Sequence, residues 1–145
     1  MTIRAKFFDA LTARELHEIL RLRAETFVVG QSCCYQDPDE TDLRSLHVWL
    51  EEGGAMLAYL RAFPKPGAPE TVQIGRVLSV THGQGHGEAV MRAGIDAVRT
   101  QMPCRTLFLE SQSYAIGFYE KLGFRVVSEE YLDVGIPHRD MIRAL

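Results

Sequence analysis

The chain has 145 residues, of which 46% are hydrophobic and 24% are charged, and its formal net charge at pH 7 is −3. This composition predicts one globular domain over residues 1–145, and the negative charge argues against nucleic acid as a partner, because a phosphate backbone requires a basic surface. No apolar run approaches the ~20 residues of a membrane-spanning helix, so no membrane partner is expected. The N-terminus lacks a signal-peptide core, and three cysteines make a poor disulfide framework, which together favour a reducing cytoplasm.

The first half of the chain predicts a strand, a helix and a hairpin. Residues 3–8 alternate as a strand does, and Thr12 with Glu15 forms a capping box at the start of a helix. Strands are predicted at residues 46–51 and 55–63, joined by a tight hairpin turn between them. One face of the first helix carries Leu16, Ile19, Leu20, Arg23 and Phe27.

Between these elements, residues 30–44 are polar and acidic, which predicts a loop or a short irregular helix. The acidic run from Asp37 to Asp42 has two interpretations. It could attract a cationic amine toward a cleft. It could instead be a solvated loop that caps the following helix, and this second interpretation is favoured because charged loops of this kind are common.

The second half predicts a buried strand at 72–80, a glycine-rich turn and a helix. A short strand at 106–109, a short helix at 114–122, a strand at 124–127 and a last strand within 140–144 follow. This order predicts an α+β fold with a single mixed sheet of the α/β type. The helix after the glycines has one apolar stripe, formed by Met91, Gly94, Ile95, Val98 and Met102.

The glycine-rich turn is the segment Gly83-Gln84-Gly85-His86-Gly87. A strand that runs into a glycine turn and then a helix leaves free N–H groups at the helix start, where the helix dipole also favours negative charge. The segment therefore predicts an anion site, most often for a phosphate. A dinucleotide site is excluded, because its fingerprint requires a different glycine interval. His82 and His86 lie four residues apart, but no carboxylate or cysteine completes a metal-ligand spacing, so no metal is expected.

A second motif, Gly117-Phe118-Tyr119-Glu120-Lys121-Leu122-Gly123-Phe124, ends a helix and starts a strand. Together with residues 82–87 it resembles the GNAT superfamily of acyl-CoA-dependent N-acyltransferases, over nearly the whole chain. The segments 27–37 and Gly135-Ile136-Pro137-His138 are similar to its ElaA-like branch, a group of small bacterial proteins. The resemblance implies a central, mostly antiparallel sheet flanked by helices.

The resemblance also implies a site. The cofactor-binding residues would include the segment from His82 to Gly87, in which the backbone amides of Gly83, Gln84, Gly85, His86 and Gly87 would hold the pyrophosphate of acetyl-CoA. The strand end at Val77 and Leu78 would offer backbone groups to the pantetheine arm. Tyr119 lies where the family has its general acid and would protonate the departing thiolate; the alternative is that Tyr119 packs in the core. The general base is left open: Glu110 is the best carboxylate candidate, and His47 and His138 are alternatives.

The expected reaction is acetyl transfer to a primary amine of an unidentified small molecule or peptide. Two features differ from the usual pattern: His82 stands where Gln or Arg is usual, and the stretch from Arg76 to Gly83 is short. The short stretch between Arg76 and the glycine-rich turn favours an alternative function, in which the protein is a non-catalytic module that binds acetyl-CoA as a sensor. An exposed edge strand near the C-terminus would suit a homodimer.

Overall fold

The computed structural model describes residues 1–145, and its eight strands form one sheet in the order β1-β2-β3-β4-β5-β8-β6, with β7 paired to β8. All neighbouring strands are antiparallel except β4 and β5, which are parallel. The mixed sheet that the sequence predicts is thus confirmed. The strands are β1 (Thr2–Phe7), β2 (Leu46–Glu52), β3 (Ala55–Pro64), β4 (Thr71–Ser79), β5 (Thr106–Gln112), β6 (Arg125–Val126), β7 (Tyr131–Asp133) and β8 (Ile136–Ala144).

Three α-helices accompany the sheet: α1 (Ala13–Arg23), α2 (His86–Gln101) and α3 (Ile116–Glu120). The predicted capping box of α1 is confirmed, because the Glu15 N–H donates to Thr12 Oγ1 at 3.1 Å and the Thr12 N–H donates to Glu15 Oε1 at 2.9 Å. A π-helical turn at Ala24–Val29 continues α1. Single 3-10 turns lie at Phe8–Ala10, Glu40–Arg44 and Ser113–Ala115. No helix is long and apolar enough to cross a membrane.

Several predicted boundaries are wrong around the C-terminal strands. The last strand begins at Ile136, well before residue 140, and β7 was not predicted. Val134 and Gly135 form a tight turn with φ of 51° and 75°, so that Asp133 pairs with Ile136. The predicted helix at 114–122 is a 3-10 turn followed by the short α3.

The sheet has a hydrophobic core on each face. On one face, α2 packs its predicted stripe against alternate residues of β2 and β3, among them Val48 and Leu60. On the other face, Ile19 and Leu22 of α1 pack against Trp49, Tyr59 and Leu78. Because strand side chains alternate, α1 and α2 cover opposite faces of one sheet. These faces are called the α1 face and the α2 face below.

The acidic run caps the turn at Glu40–Arg44 as predicted, since the Asp39 N–H donates to Asp42 Oδ2 at 3.1 Å. It is not a fully solvated loop or a free anionic surface, however, because Asp37 and Asp42 are buried and paired with arginines. Arg23 is fully buried and donates from Nε to Asp37 Oδ2 at 2.8 Å and from Nη1 to Asp42 Oδ1 at 2.6 Å. Arg61 donates to the carboxylates of Asp39 and Asp42 at 2.7 and 2.8 Å. Burial alone would raise the pKa of Asp42, but the hydrogen bonds from both arginines hold it below its usual range.

Arg23→Ala is expected to lower the free energy of unfolding by about 3–5 kcal/mol, because it leaves Asp37 and Asp42 buried with an unbalanced charge. Arg21→Ala on the same helix is the matched control. Arg21 is half exposed and pairs with Glu18 at 2.6 Å, and surface pairs contribute less than about 1 kcal/mol. Urea unfolding of both variants measures the difference, and equal losses would contradict the assigned role of the cluster.

Gly94→Ala is also expected to destabilise the fold, by about 1–3 kcal/mol through overpacking. A Cβ at this position would lie 2.7 Å from Leu60 Cδ2 and 3.1 Å from Cδ1, and Leu60 is fully buried. Gly117→Ala in α3 meets nothing within 4 Å, so the better helix propensity of alanine should leave stability unchanged or raised. Thermal melting compares the pair, and a stable Gly94→Ala protein would show that Leu60 can move aside.

Candidate active site

A cleft opens where β4 and β5 separate. The two strands pair only from Thr71–Thr106 to Ile74–Leu109. Beyond those pairs, β4 continues beside β3 and β5 continues beside β8, so the facing backbone groups of the two strands have no partner strand. The resulting cavity has a volume of about 530 Å³.

The β4 side of the cleft contains a β-bulge. Tyr59 pairs with Leu78 and Arg61 with Gly75, so both Arg76 and Val77 lie opposite the single residue between them. Arg76 has φ of +53°, a conformation that is uncommon for a residue with a side chain. Its Nε donates to Asp37 Oδ1 at 2.7 Å, so the buried ionic cluster anchors the bulge. The predicted Val77 and Leu78 both line the cleft beside this bulge.

The glycine-rich turn forms an open cradle of N–H groups at the start of α2. Gly83 and Gly85 have φ of +78° and +77°, and a Cβ at either would meet nothing within 4 Å. The N–H groups of residues 83–88 donate to no acceptor within the protein. The first hydrogen bond of the helix runs from the Ala89 N–H to the Gly85 carbonyl at 3.1 Å. Six consecutive free amides at a helix start are suited to bind an anion.

The cradle lies next to the cleft but does not line it. His82 lines the cavity, whereas residues 83–87 continue away from it. His86 is the first residue of α2, and its Nδ1 is buried without a partner. A Cβ at Gly87 would lie 3.6 Å from the Phe118 ring, so the first turn of α2 packs beside α3. No group of three or more potential metal-binding side chains lies together.

Tyr119 lies in the cleft on the α2 face. Its ring contacts Phe118 and Phe124 edge-to-face at centroid distances of 5.0 and 6.1 Å, and it packs against the core beneath α2. Its hydroxyl has no hydrogen-bond partner, and the residue lines the cavity. Burial raises the pKa of Tyr119 above its ordinary value, so the phenol is protonated at neutral pH and can donate a proton.

Glu110 lies on the α1 face, opposite Tyr119. Leu109 points into the α2-face core, so the next side chain of β5 points the other way. Glu110 Oε1 accepts from Gln73 Nε2 at 3.1 Å, and Oε2 lies 3.3 Å from the Tyr131 hydroxyl. That hydroxyl donates to Asp140 Oδ1 at 2.6 Å. Two carboxylates that are cross-strand neighbours therefore share one hydroxyl proton.

The two candidate histidines have different surroundings. His47 is fully buried outside the cleft; its Nε2 donates to the Asp42 carbonyl at 3.0 Å, and its Nδ1 accepts from the Tyr59 hydroxyl at 2.7 Å. Burial lowers the pKa of His47. His138 lines the cleft and stacks on Tyr131 with ring centroids 6.1 Å apart. The structure therefore brings His138, but not His47, together with Glu110 and Tyr119.

Sequence reasoning missed Tyr131, Asp140 and the anchoring role of Arg76. The hairpin of β7 and β8 places Tyr131 opposite His138, and the β5–β8 register places Asp140 opposite Glu110. Neither pairing leaves a short-range signal in the sequence.

Cys33 lies at the cleft and Cys34 is exposed, so the adjacent thiols do not pack together in the core.

The comparisons with known proteins agree with this geometry. The family profile described as Acetyltransferase (GNAT) domain matches residues 25–145. A UPF0039 protein of Schizosaccharomyces pombe is 36% identical over 140 residues, which are 94% of this chain and 92% of the yeast protein. The relatives are therefore not confined to bacteria.

Two solved structures are similar over almost their full lengths. Escherichia coli ElaA has a TM-score of 0.91 and 30% identity and covers 98% of each chain. An acyl-CoA N-acyltransferase from Pseudomonas aeruginosa has a TM-score of 0.88 and 37% identity, over 99% of this chain and 100% of the other. With the family match, these likenesses show that the chain belongs to the GNAT acetyltransferase family, in the ElaA-like branch.

Proposed function

We propose that the protein transfers an acetyl group from acetyl-CoA to a primary amine of a small molecule or peptide, with Tyr119 as the proton donor to the departing thiolate. The observation that carries this proposal is the cleft between β4 and β5, which has a free tyrosine hydroxyl on the α2 face and the Glu110 carboxylate on the α1 face. Family membership implies acyl-CoA-dependent N-acyltransferase activity.

The residues present fit the acyl donor. The free amides of residues 83–88 suit a pyrophosphate, and the open space at Gly83 and Gly85 lets phosphate oxygens approach the backbone. The unpaired edge of β4 near Val77 and Leu78 can hydrogen-bond the amides of a pantetheine arm. A backbone N–H at the bulge can stabilise the negative charge that develops on the thioester oxygen. Acetyl-CoA supplies an activated acyl carbon.

The proposed chemistry uses a proton donor for the sulfur and a proton acceptor for the amine. The amine nitrogen forms a bond to the acyl carbon while the bond from carbon to sulfur breaks. Tyr119 gives its hydroxyl proton to the sulfur, so that the leaving group departs as a thiol, and the proton that the nitrogen loses as the amide forms restores the tyrosine hydroxyl. The ammonium form of the amine must lose a proton on the other face, where Glu110 and His138 lie.

A thiol-release assay tests the proposal. The protein is mixed with acetyl-CoA and a panel of primary amines, and free coenzyme A is measured with a thiol reagent. Release that depends on the amine supports the transferase. A rise in melting temperature with acetyl-CoA but no release with any amine would overturn it and favour the acetyl-CoA-binding sensor.

Tyr119→Phe is expected to lower kcat by about 10²-fold, because the thiolate loses its proton donor. The dissociation constant for acetyl-CoA should change little, since the ring and its packing remain. Tyr114→Phe, which removes an exposed hydroxyl elsewhere in the wall of the same cleft, is the matched comparison. Equal losses of acetyl-CoA binding and turnover in Tyr119→Phe would show that Tyr119 is a packing residue.

Gly85→Ala is expected to weaken acetyl-CoA binding by at least about tenfold. The added Cβ would stand in the open space of the cradle and keep a phosphate oxygen from one of its charge-assisted amide contacts. Gly67→Ala is a close control, because Gly67 has φ of +76° against +77° at Gly85 and is equally free of neighbours. Both variants should lose similar stability from backbone strain, and calorimetric titration separates affinity from folding. If both bind acetyl-CoA equally well, the cradle does not hold the donor.

A further inference from the structure

The proton acceptor for the amine can be chosen from the hydrogen bonds of the candidates. Both ring nitrogens of His47 are occupied, and the side chain lies outside the cleft. Glu110 is exposed, and each of its oxygens lies within 3.3 Å of a polar neighbour. His138 is the remaining candidate, with only 9% of its surface exposed and a place in the cleft wall.

The protonation of His138 follows from its one hydrogen bond. Nδ1 lies 2.7 Å from the carbonyl oxygen of Ile136, which can only accept, so Nδ1 carries the proton. In the neutral ring, Nε2 then bears a lone pair, and it has no partner within the protein. Stacking on Tyr131 holds the ring in place. A fixed tautomer with a free nitrogen in a cleft is the arrangement that a general base requires.

The charges around His138 favour a cation. The carboxylates of Glu110 and Asp140 lie directly opposite each other on β5 and β8. The Tyr131 hydroxyl, which lies near both, has a single proton to donate. Like charges that face each other across a sheet are destabilising unless a counter-charge arrives. Arg61 and Arg76, which line the same cleft, are already paired with the aspartates of the ionic cluster, and no arginine or lysine forms a salt bridge with Glu110 or Asp140. The excess negative charge on this face is therefore free to bind an ammonium group.

We propose that His138 Nε2 is the general base of the transfer reaction and that Glu110 binds the ammonium group of the acceptor instead of deprotonating it. This inference rests on the proposed function. The ammonium group transfers one proton to Nε2, and the neutral amine then attacks the acyl carbon, while Nδ1–H stays bonded to the Ile136 carbonyl. The second proton that the nitrogen loses as the amide forms replaces the one that Tyr119 gives to sulfur. Glu110 and Asp140 stabilise the resulting imidazolium, which later releases its proton to water.

The test compares two amines of similar size. Ethylamine is protonated at neutral pH and needs a base, whereas 2,2,2-trifluoroethylamine has low basicity and is largely uncharged. His138→Asn keeps an amide donor near the Ile136 carbonyl but has no basic nitrogen. It is expected to lower kcat/KM for ethylamine by about 10²-fold and to leave the fluorinated amine nearly unaffected. His17→Asn, at an exposed position of α1, is the matched control.

Glu110→Gln should behave differently, raising KM for ethylamine with kcat retained and changing neither constant for the fluorinated amine. If Glu110→Gln shows the loss of kcat and His138→Asn does not, Glu110 is the base and the assignment is overturned. An equal loss for both amines in His138→Asn would make the residue structural, and melting temperature and acetyl-CoA affinity report that directly. Failure of the wild-type protein to release coenzyme A with any amine would instead overturn the proposed function.

Discussion

The parallel pairing of β4 with β5 lasts for only four residue pairs, and the organisation of the cleft depends on where it stops. A parallel pair needs a crossover, and here that crossover is α2, so the start of α2 lies at the same end of the sheet as the gap. Crevices at the carboxyl ends of parallel strands are where open sheets of this kind bind ligands. The gap also makes both faces of the sheet accessible at one point. Side chains from either face, Tyr119 and Glu110 among them, therefore line the same cleft.

The buried ionic cluster gives the α1 face its shape. Three arginines and three aspartates fasten the segment between α1 and β2 to the strands, and Arg76 extends the cluster to the bulge in β4. Such clusters contribute little net stability, because removing charges from water opposes their attraction. Their effect here is geometric. Directional hydrogen bonds fix the position of the β4 wall of the cleft, and the aspartates of the cluster neutralise the charge of its arginines.

Short-range signals in the sequence predict the parts of this protein that depend on neighbouring residues. The capping box at Thr12, the stripe of α2 and the glycine turn all appear where they are expected, because each depends on residues within two or three turns. The burial of the acidic run could not be foreseen, since its partners Arg23 and Arg61 lie 14 to 22 residues away. The pairing of Tyr131 with Glu110 likewise depends on strand register, which no local pattern encodes.

The two long helices begin in contrasting ways. The capping box satisfies the first amides of α1, whereas the N-cap of α2 is Gly85, which has no side chain to accept from them. A glycine at this position costs a helix only about a few tenths of a kcal/mol relative to a capping side chain, and a bound anion can supply the acceptor that the side chain does not. Bound acyl donor at a hundred times its dissociation constant would add about 2.7 kcal/mol to the stability of the fold. The folded protein would then resist unfolding better with the donor bound than without it.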